Sequence, residues 1–337
     1  MAKTNKEKIE IELDNKEKAL AQAPVIVSAS RSTDIPAFYC DWFFHRLKVG
    51  YSAWTNPFNG GKKMYVSYAK TRFIVFWSKN PRPLLEHIDE LKARGIGCYV
   101  QYSLNDYEEE KLERGVPPLA ERIETFKKLV DVLGKGSVIW RFDPLVLTED
   151  ITIEKLLNKI EIIGDQLKGY TEKLVFSFVD ILSYNKVKNN LKANGISFVD
   201  WTEEQMAEFA SRLVALNKEK GWNYKLATCG ERGRYPGVEP NHCIDDELII
   251  KKSFHDKELM NYLKAEIKLM PPRDMFTNTI TLPEGAIILD SNHYVTRGDN
   301  RDKGQREFCG CMKSKDIGQY NTCIHMCEYC YANTSKE

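Results

Sequence analysis

The chain has 337 residues, 42% of them hydrophobic, and a formal net charge of +1. That length suits one large domain, or one domain with a smaller appendage, and the apolar content is enough for a sizeable core. A charge this close to zero argues against general binding of nucleic acid through its phosphates, and no apolar run approaches the roughly 18 residues of a membrane span. With no apolar leader at its start, the chain reads as cytoplasmic.

Residues 1–23 are rich in Lys and Glu and read as a charged arm, a solvated helix or a frayed segment. The pattern then changes. Val25-Ile26-Val27-Ser28-Ala29 is a short apolar run fit for a buried parallel strand, and it runs into Ser30-Arg31-Ser32-Thr33-Asp34-Ile35-Pro36. Phe38, Trp42, Phe43 and Leu47 stand at helical spacing. Gly50 to Trp54 reads as a further strand, closing on Thr55-Asn56-Pro57-Phe58-Asn59-Gly60-Gly61. The same grammar repeats at Phe73–Trp77, Cys98–Tyr102, Val138–Phe142, Leu174–Phe178 and Tyr224–Ala227. Helical patterns fall between these strands, over residues 84–91, 119–133, 152–168 and 202–220. Short strands alternating with helices mean repeated βα units and a parallel sheet. Without a Gly-x-Gly-x-x-Gly turn, the class is α/β with a full or partial (β/α) TIM-type barrel. The expected layout is the arm at 1–23, the barrel at 24–231 and a cysteine-rich extension at 232–337.

In such a barrel the active site lies at the C-terminal ends of the strands. Those ends are polar here: Arg31 and Asp34, Thr55 and Asn56, Lys79 and Asn80, Gln101 with Ser103 and Asn105, Arg141 and Asp143, Ser177 and Asp180, Cys229 and Glu231. Any one of them suits a turn or a helix cap equally well. As a set they describe a polar mouth, fitted to a small molecule rather than a nucleic acid. Arg141 and Asp143 are the preferred catalytic pair, with Pro144 fixing the exit.

Nine cysteines, an odd number concentrated after position 228, point to metal binding rather than a disulfide framework. Cys323, Cys327 and Cys330 form a Cys-x-x-x-Cys-x-x-Cys array. Three thiolates on one short loop suit three irons of a [4Fe–4S] cubane and leave the fourth open. A structural zinc is the alternative, although a zinc ribbon shows two Cys-x-x-Cys knuckles and this stretch shows one. Cys229, Cys243, Cys309 and Cys311 make a candidate second [4Fe–4S] site, or a zinc site. Gly310 lets the two thiols beside it turn toward one centre. Cys40 and Cys98 read as core residues. His242 lies beside Cys243. His325 reads as loop-exposed, or as a donor to a cluster sulfur. Residues 252–289, with Pro271-Pro272, read as a linker with a small excursion. Asp299, Asp302, Gln305 and Arg306 read as a lid.

The terminal array, with Tyr329 before its third cysteine and Tyr331-Ala332 after it, resembles the radical SAM superfamily signature in its "C-x-Y-C-Y-A" form. The resemblance implies S-adenosylmethionine on the open iron, its reductive cleavage, and hydrogen abstraction from an unidentified substrate. It implies an anaerobic or well-reduced cell and a reductant such as flavodoxin or ferredoxin. Arg31, Asp34, Lys79, Asn80, Gln101 and Ser177 become candidates for holding S-adenosylmethionine or a polar substrate. The superfamily carries its loop after the first strand, whereas here seven residues follow Cys330 in the 337-residue sequence. The order is therefore permuted, and the extension is expected to fold back over the mouth. Ser28–Pro36, Phe76–Pro81, Trp140–Pro144 and the final cysteine block also resemble a prokaryotic domain family of unassigned function, radical-SAM-like in architecture. The rival reading is a zinc-stabilised barrel that binds a small molecule or nucleic acid without radical chemistry. The oligomeric state is not legible.

Overall fold

The computed structural model describes residues 8–55, 63–182, 184–231, 233–305 and 309–333. Asn56–Gly61 and Arg306, named above, lie outside these residues, as do residues 1–7 of the arm.

The chain opens with β1 (Lys8–Glu12) and β2 (Lys18–Gln22), then β3 (Ile26–Ala29), α1 (Ile35–Phe38), α2 (Cys40–Val49), β4 (Tyr51–Thr55) and β5 (Lys63–Ser67). β6 (Phe73–Ser78) is followed by a 3-10 turn and α3 (Ile88–Ala93), β7 (Gly97–Ser103) by α4 (Leu119–Leu133), and β8 (Val138–Leu145) by α5 (Ile153–Leu167). β9 (Lys173–Phe178), α6 (Asn185–Ala193), α7 (Glu203–Glu219) and β10 (Lys225–Thr228) complete the alternating series. The remainder holds β11 (Glu239–Pro240), α8 (Asp246–Ser253), α9 (Lys257–Tyr262), β12 (Ala265–Leu269), β13 (Ile287–Ile288), β14 (His293–Arg297) and β15 (Lys315–Asp316).

One parallel sheet of eight strands dominates, in the order β15-β3-β6-β7-β8-β9-β10-β11. Its six middle strands follow chain order, and each coincides with a strand expected from an apolar run. Side chains alternate between its two faces. Ile74 and Phe76 of β6 point into the larger core, with Phe43 and Phe44 of α2, Phe126 of α4, Ile160 of α5 and Phe209 of α7. The helices form for ordinary reasons. α5 buries Leu156, Ile160 and Ile163 at helical spacing, and Thr152 caps it by accepting from the Lys155 amide at 3.2 Å.

The other face is covered by the C-terminal part of the chain. Phe73 and Val75 of β6 and Tyr99 of β7 pack against Ile249 and Ile250 of α8 and Leu259 of α9. This corrects the expectation of a closed barrel. The sheet is open, and its edge strands β11 and β15 are two residues each, too short to continue a ladder. The face that a closed barrel fills with its own strands is filled here by α8 and α9.

Two other expectations also change. Residues 8–22 of the arm form an antiparallel hairpin that joins a four-stranded sheet, β1-β2-β5-β4. Ile9 and Ile11 alternate with charged residues, which is strand periodicity, and half-buried positions alternate with exposed ones along β1. The 252–289 stretch is not a plain linker: it carries α9 and two strands of the sheet β12-β14-β13. Among the described residues, no helix is long and apolar enough to cross a membrane.

Candidate functional site

The C-terminal ends of the sheet strands open into a cavity of about 680 Å³. Its walls carry Arg31, Asp34, Lys79, Ser103, Arg141, Asp143, Ser177, Asp180 and Glu231 from those ends. Seven of the nine cysteines line it too: Cys229, Cys243, Cys309, Cys311, Cys323, Cys327 and Cys330. Asn80 and Gln101 do not line it.

The terminal cysteine loop reaches the cavity because β15 pairs with Val27 and Ser28 at the sheet edge. Tyr39 Oη then donates to Thr322 O at 2.6 Å, and Trp54 Nε1 to Gly318 O at 2.6 Å. The loop is clamped by its own non-cysteine residues. His325, expected on the surface, is 1% exposed. Its Nε2 lies 2.7 Å from Asp34 Oδ2 and its Nδ1 lies 3.0 Å from Gly115 O. Both partners are acceptors, so each ring nitrogen is placed to donate. Asp34 also accepts from Ser78 Oγ at 2.7 Å and from the Lys79 amide at 2.7 Å. Burial raises its pKa, but the His325, Ser78 and Lys79 bonds outweigh burial and hold it below the usual value. Asp34 is therefore a clamp on the loop, with little capacity left for a ligand. Glu328 is fully buried, accepts from Asn194 Nδ2 at 2.8 Å and pairs with Arg114 at 3.2 Å. Asn333 Nδ2 closes the loop by donating to Cys323 O at 2.7 Å.

Tyr329 anchors the third-cysteine end. Its hydroxyl donates to Glu113, which also accepts from Lys79 Nζ at 2.7 Å and Asn105 Nδ2 at 3.0 Å. Burial raises the Glu113 pKa, but the Lys79 and Arg122 charges overcome it and bring it down to about 2. Lys79 is thus spent on Glu113 and Tyr329. Glu113 was not among the sequence candidates: it lies in the charged stretch Glu108–Arg114, which reads as a solvated loop.

The other four cysteines converge from three separate segments. Cys229 Sγ and Cys243 Sγ are 3.1 Å apart, and the Cys243 amide donates to Cys311 Sγ at 3.2 Å. Tyr99 Oη and Gln101 Nε2 both donate to Cys243 O, at 2.7 and 2.8 Å, so Gln101 holds the cysteine segment rather than a ligand. Arg141 Nη1 donates to Cys243 Sγ at 3.5 Å and Gln101 Oε1 at 3.2 Å, and its Nε to Asp143 Oδ2 at 3.0 Å. The proposed catalytic pair is therefore an ion pair with itself, and Ser177 Oγ donates to the second Asp143 oxygen. Contacts from Cys229 and Cys311, with the Arg141 and Arg31 charges behind them, hold the Cys243 thiol well below its usual range. The Cys311 contact brings Cys309 down to about 6. Cys243 and Cys309 are thus biased toward the thiolate, the form that binds metal, while contact with Cys243 and burial push the Cys229 and Cys311 thiols up.

The thiol donors suit either iron–sulfur centres or zinc. Among the described residues, no three thiols gather their sulfurs within 4.8 Å of one another, while the Cys229 and Cys243 sulfurs stand 3.1 Å apart. Cys40 and Cys98 pack in or against the core, and burial pushes both thiols up to about 12, as expected of inert residues. Of the lid candidates, Gln305 lines the cavity, while Asp302 donates its amide to Cys311 O at 2.9 Å.

The family model described as Domain of unknown function (DUF1848) matches residues 26–332. No curated protein and no solved structure matches the chain.

Proposed function

The chain belongs to the DUF1848 family, and we propose that it is a radical S-adenosylmethionine enzyme acting on a small molecule. The observation that carries this reading is the meeting of two things in one cavity: three thiols of one short loop, and the polar ends of a parallel sheet. The strand order, with α2, α4, α5 and α7 on one face of the open sheet, is read as a partial (β/α) barrel.

Cys323, Cys327 and Cys330 would hold a [4Fe–4S] cluster, and Cys229, Cys243, Cys309 and Cys311 a second one. When bound, the first supplies the electron that cleaves S-adenosylmethionine to methionine and a 5′-deoxyadenosyl radical. The chain's own residues do the rest. Asp34, Lys79, Glu113 and Tyr329 fix the loop and leave it little freedom. Arg31 remains on the cavity wall for a carboxylate of cofactor or substrate. Phe178, Val179, Trp201 and Met206 offer an apolar wall for a ring or chain. A volume of about 680 Å³ suits a nucleoside cofactor with a small substrate, not a duplex. A flavodoxin or ferredoxin is the expected electron source.

The test is made on anaerobically purified protein. Iron and sulfide are counted per chain, and the reduced protein is examined by EPR with and without S-adenosylmethionine. About eight irons, a signal that changes on adding S-adenosylmethionine, and release of 5′-deoxyadenosine are expected. About four irons with the same change retains the enzyme and removes the second cluster. Zinc without iron overturns the reading.

A further inference from the structure

The Trp77 indole, near the end of β6, sits beside two guanidinium groups. Arg31 lies 5.4 Å and Arg141 5.2 Å from its ring centroid. All three residues line the cavity beside the four-thiol set. Arg141 is 2% exposed and donates to Cys243 Sγ at 3.5 Å. Its charge is offset by Asp143, which it grips through two nitrogens. Arg31 is placed differently. Its Nε is buried without a hydrogen-bond partner. The nearby Asp316 Oδ2 accepts from the Arg31 amide at 2.9 Å and from Ser28 Oγ at 3.0 Å, not from the guanidinium. Arg31 lines the same cavity as Cys243, Cys309 and Cys311, and its charge interacts with those thiols and with Asp316.

We infer that Arg31 and Arg141, held against Trp77, set the reduction potential of the centre on Cys229, Cys243, Cys309 and Cys311. The inference rests on the reading of that set as an iron–sulfur site. Reduction adds one electron from a flavodoxin- or ferredoxin-class donor and moves no proton, so the centre gains one negative charge. Buried positive charge beside the thiolates stabilises that state and raises the potential. Arg31, with no carboxylate on its guanidinium, carries the larger share.

The experiment is an EPR-monitored redox titration of the full chain carrying Cys323→Ala, Cys327→Ala and Cys330→Ala, so that only the four-thiol centre is read. Arg31→Gln is expected to move the midpoint negative by at least a tenfold change in the reduction equilibrium, about 59 mV for one electron. Arg31→Lys keeps the charge and moves it less. Should Arg31→Gln not fold, Arg31→Met removes the same charge and reads the same shift. An iron-loaded centre with an unmoved midpoint overturns this inference and leaves the cluster reading intact. Zinc in the set, shown by metal analysis, overturns both.

Discussion

The two cysteine sets share one cavity and are built in opposite ways. Cys323, Cys327 and Cys330 arrive together on eight consecutive residues, and the fold's task is to dock that loop. It does so through His325, Glu328, Tyr329 and Asn333, which lie within or beside the array and bond to Asp34, Asn194, Glu113 and Cys323 O. Cys229, Cys243, Cys309 and Cys311 come from the end of β10 and two later loops, and here the thiols themselves are the meeting point. A preassembled ligand set needs anchors around it. A dispersed set is itself an anchor, tying the extension to the sheet.

The sharpest way to break this comparison is to remove one thiol from each set. Cys327→Ala is expected to reduce 5′-deoxyadenosine formation to background while costing about 1 kcal/mol of stability, because the loop's anchors remain. Cys243→Ala strips a partner from buried Arg141 and is expected to cost about 2 kcal/mol or more, together with the second centre's metal. Equal losses of stability in urea unfolding, at matched metal content, would refute the distinction.

The next effect tests the anchors alone. Glu113→Gln leaves the Lys79 ammonium without its carboxylate, an expected loss of about 3–5 kcal/mol. The pH dependence has a definite sign. The Lys79 and Arg122 charges bring folded Glu113 down from its ordinary 4.5 to about 2, so its contribution is fully present above about pH 4.5 and fades as pH falls through 2. Urea unfolding of metal-free protein should show wild type and variant converging over that window.

The last test compares two glycines. A Cβ on Gly115 would lie 2.7 Å from Ile324 O and 2.9 Å from His325 Cα, both backbone of the cysteine loop. A Cβ on Gly310 would meet the His242 ring at 2.1 Å, but that half-buried side chain can swing aside. Gly115→Ala is expected to cost about 1–3 kcal/mol and to lower iron occupancy of the terminal loop. Gly310→Ala is expected to cost less. Iron content and melting temperature of the two variants give the ranking.

The six sheet strands were legible because each is a compact apolar run bounded by polar residues. The opening of the sheet was not, since strand order and the filling of its second face depend on where α8 and α9 dock. The hairpin at Lys8–Gln22 was obscured by its charge, though the alternation of Ile9 and Ile11 was in plain view. Within the site, cysteine spacing marked the terminal loop, and cysteine count alone suggested the second set. The roles of Asp34 and Lys79 could not be read: each was taken as ligand-binding, and each proves to be bonded to a residue far along the chain. Glu113 lay unmarked within a charged run, and nothing local distinguishes it from Glu109.

One bond near the sheet edge carries a consequence for how the protein is made. Ser28 Oγ donates to Asp316 Oδ2 across 288 residues. At ribosomal rates of about 5–20 residues per second, these partners are synthesised roughly 15–60 s apart. Throughout that interval the early strands lack the segment that completes their mouth. A nascent chain therefore passes through a stage with a core and no terminal cysteine loop, and any metal that Cys323, Cys327 and Cys330 hold is loaded only after that loop has been made.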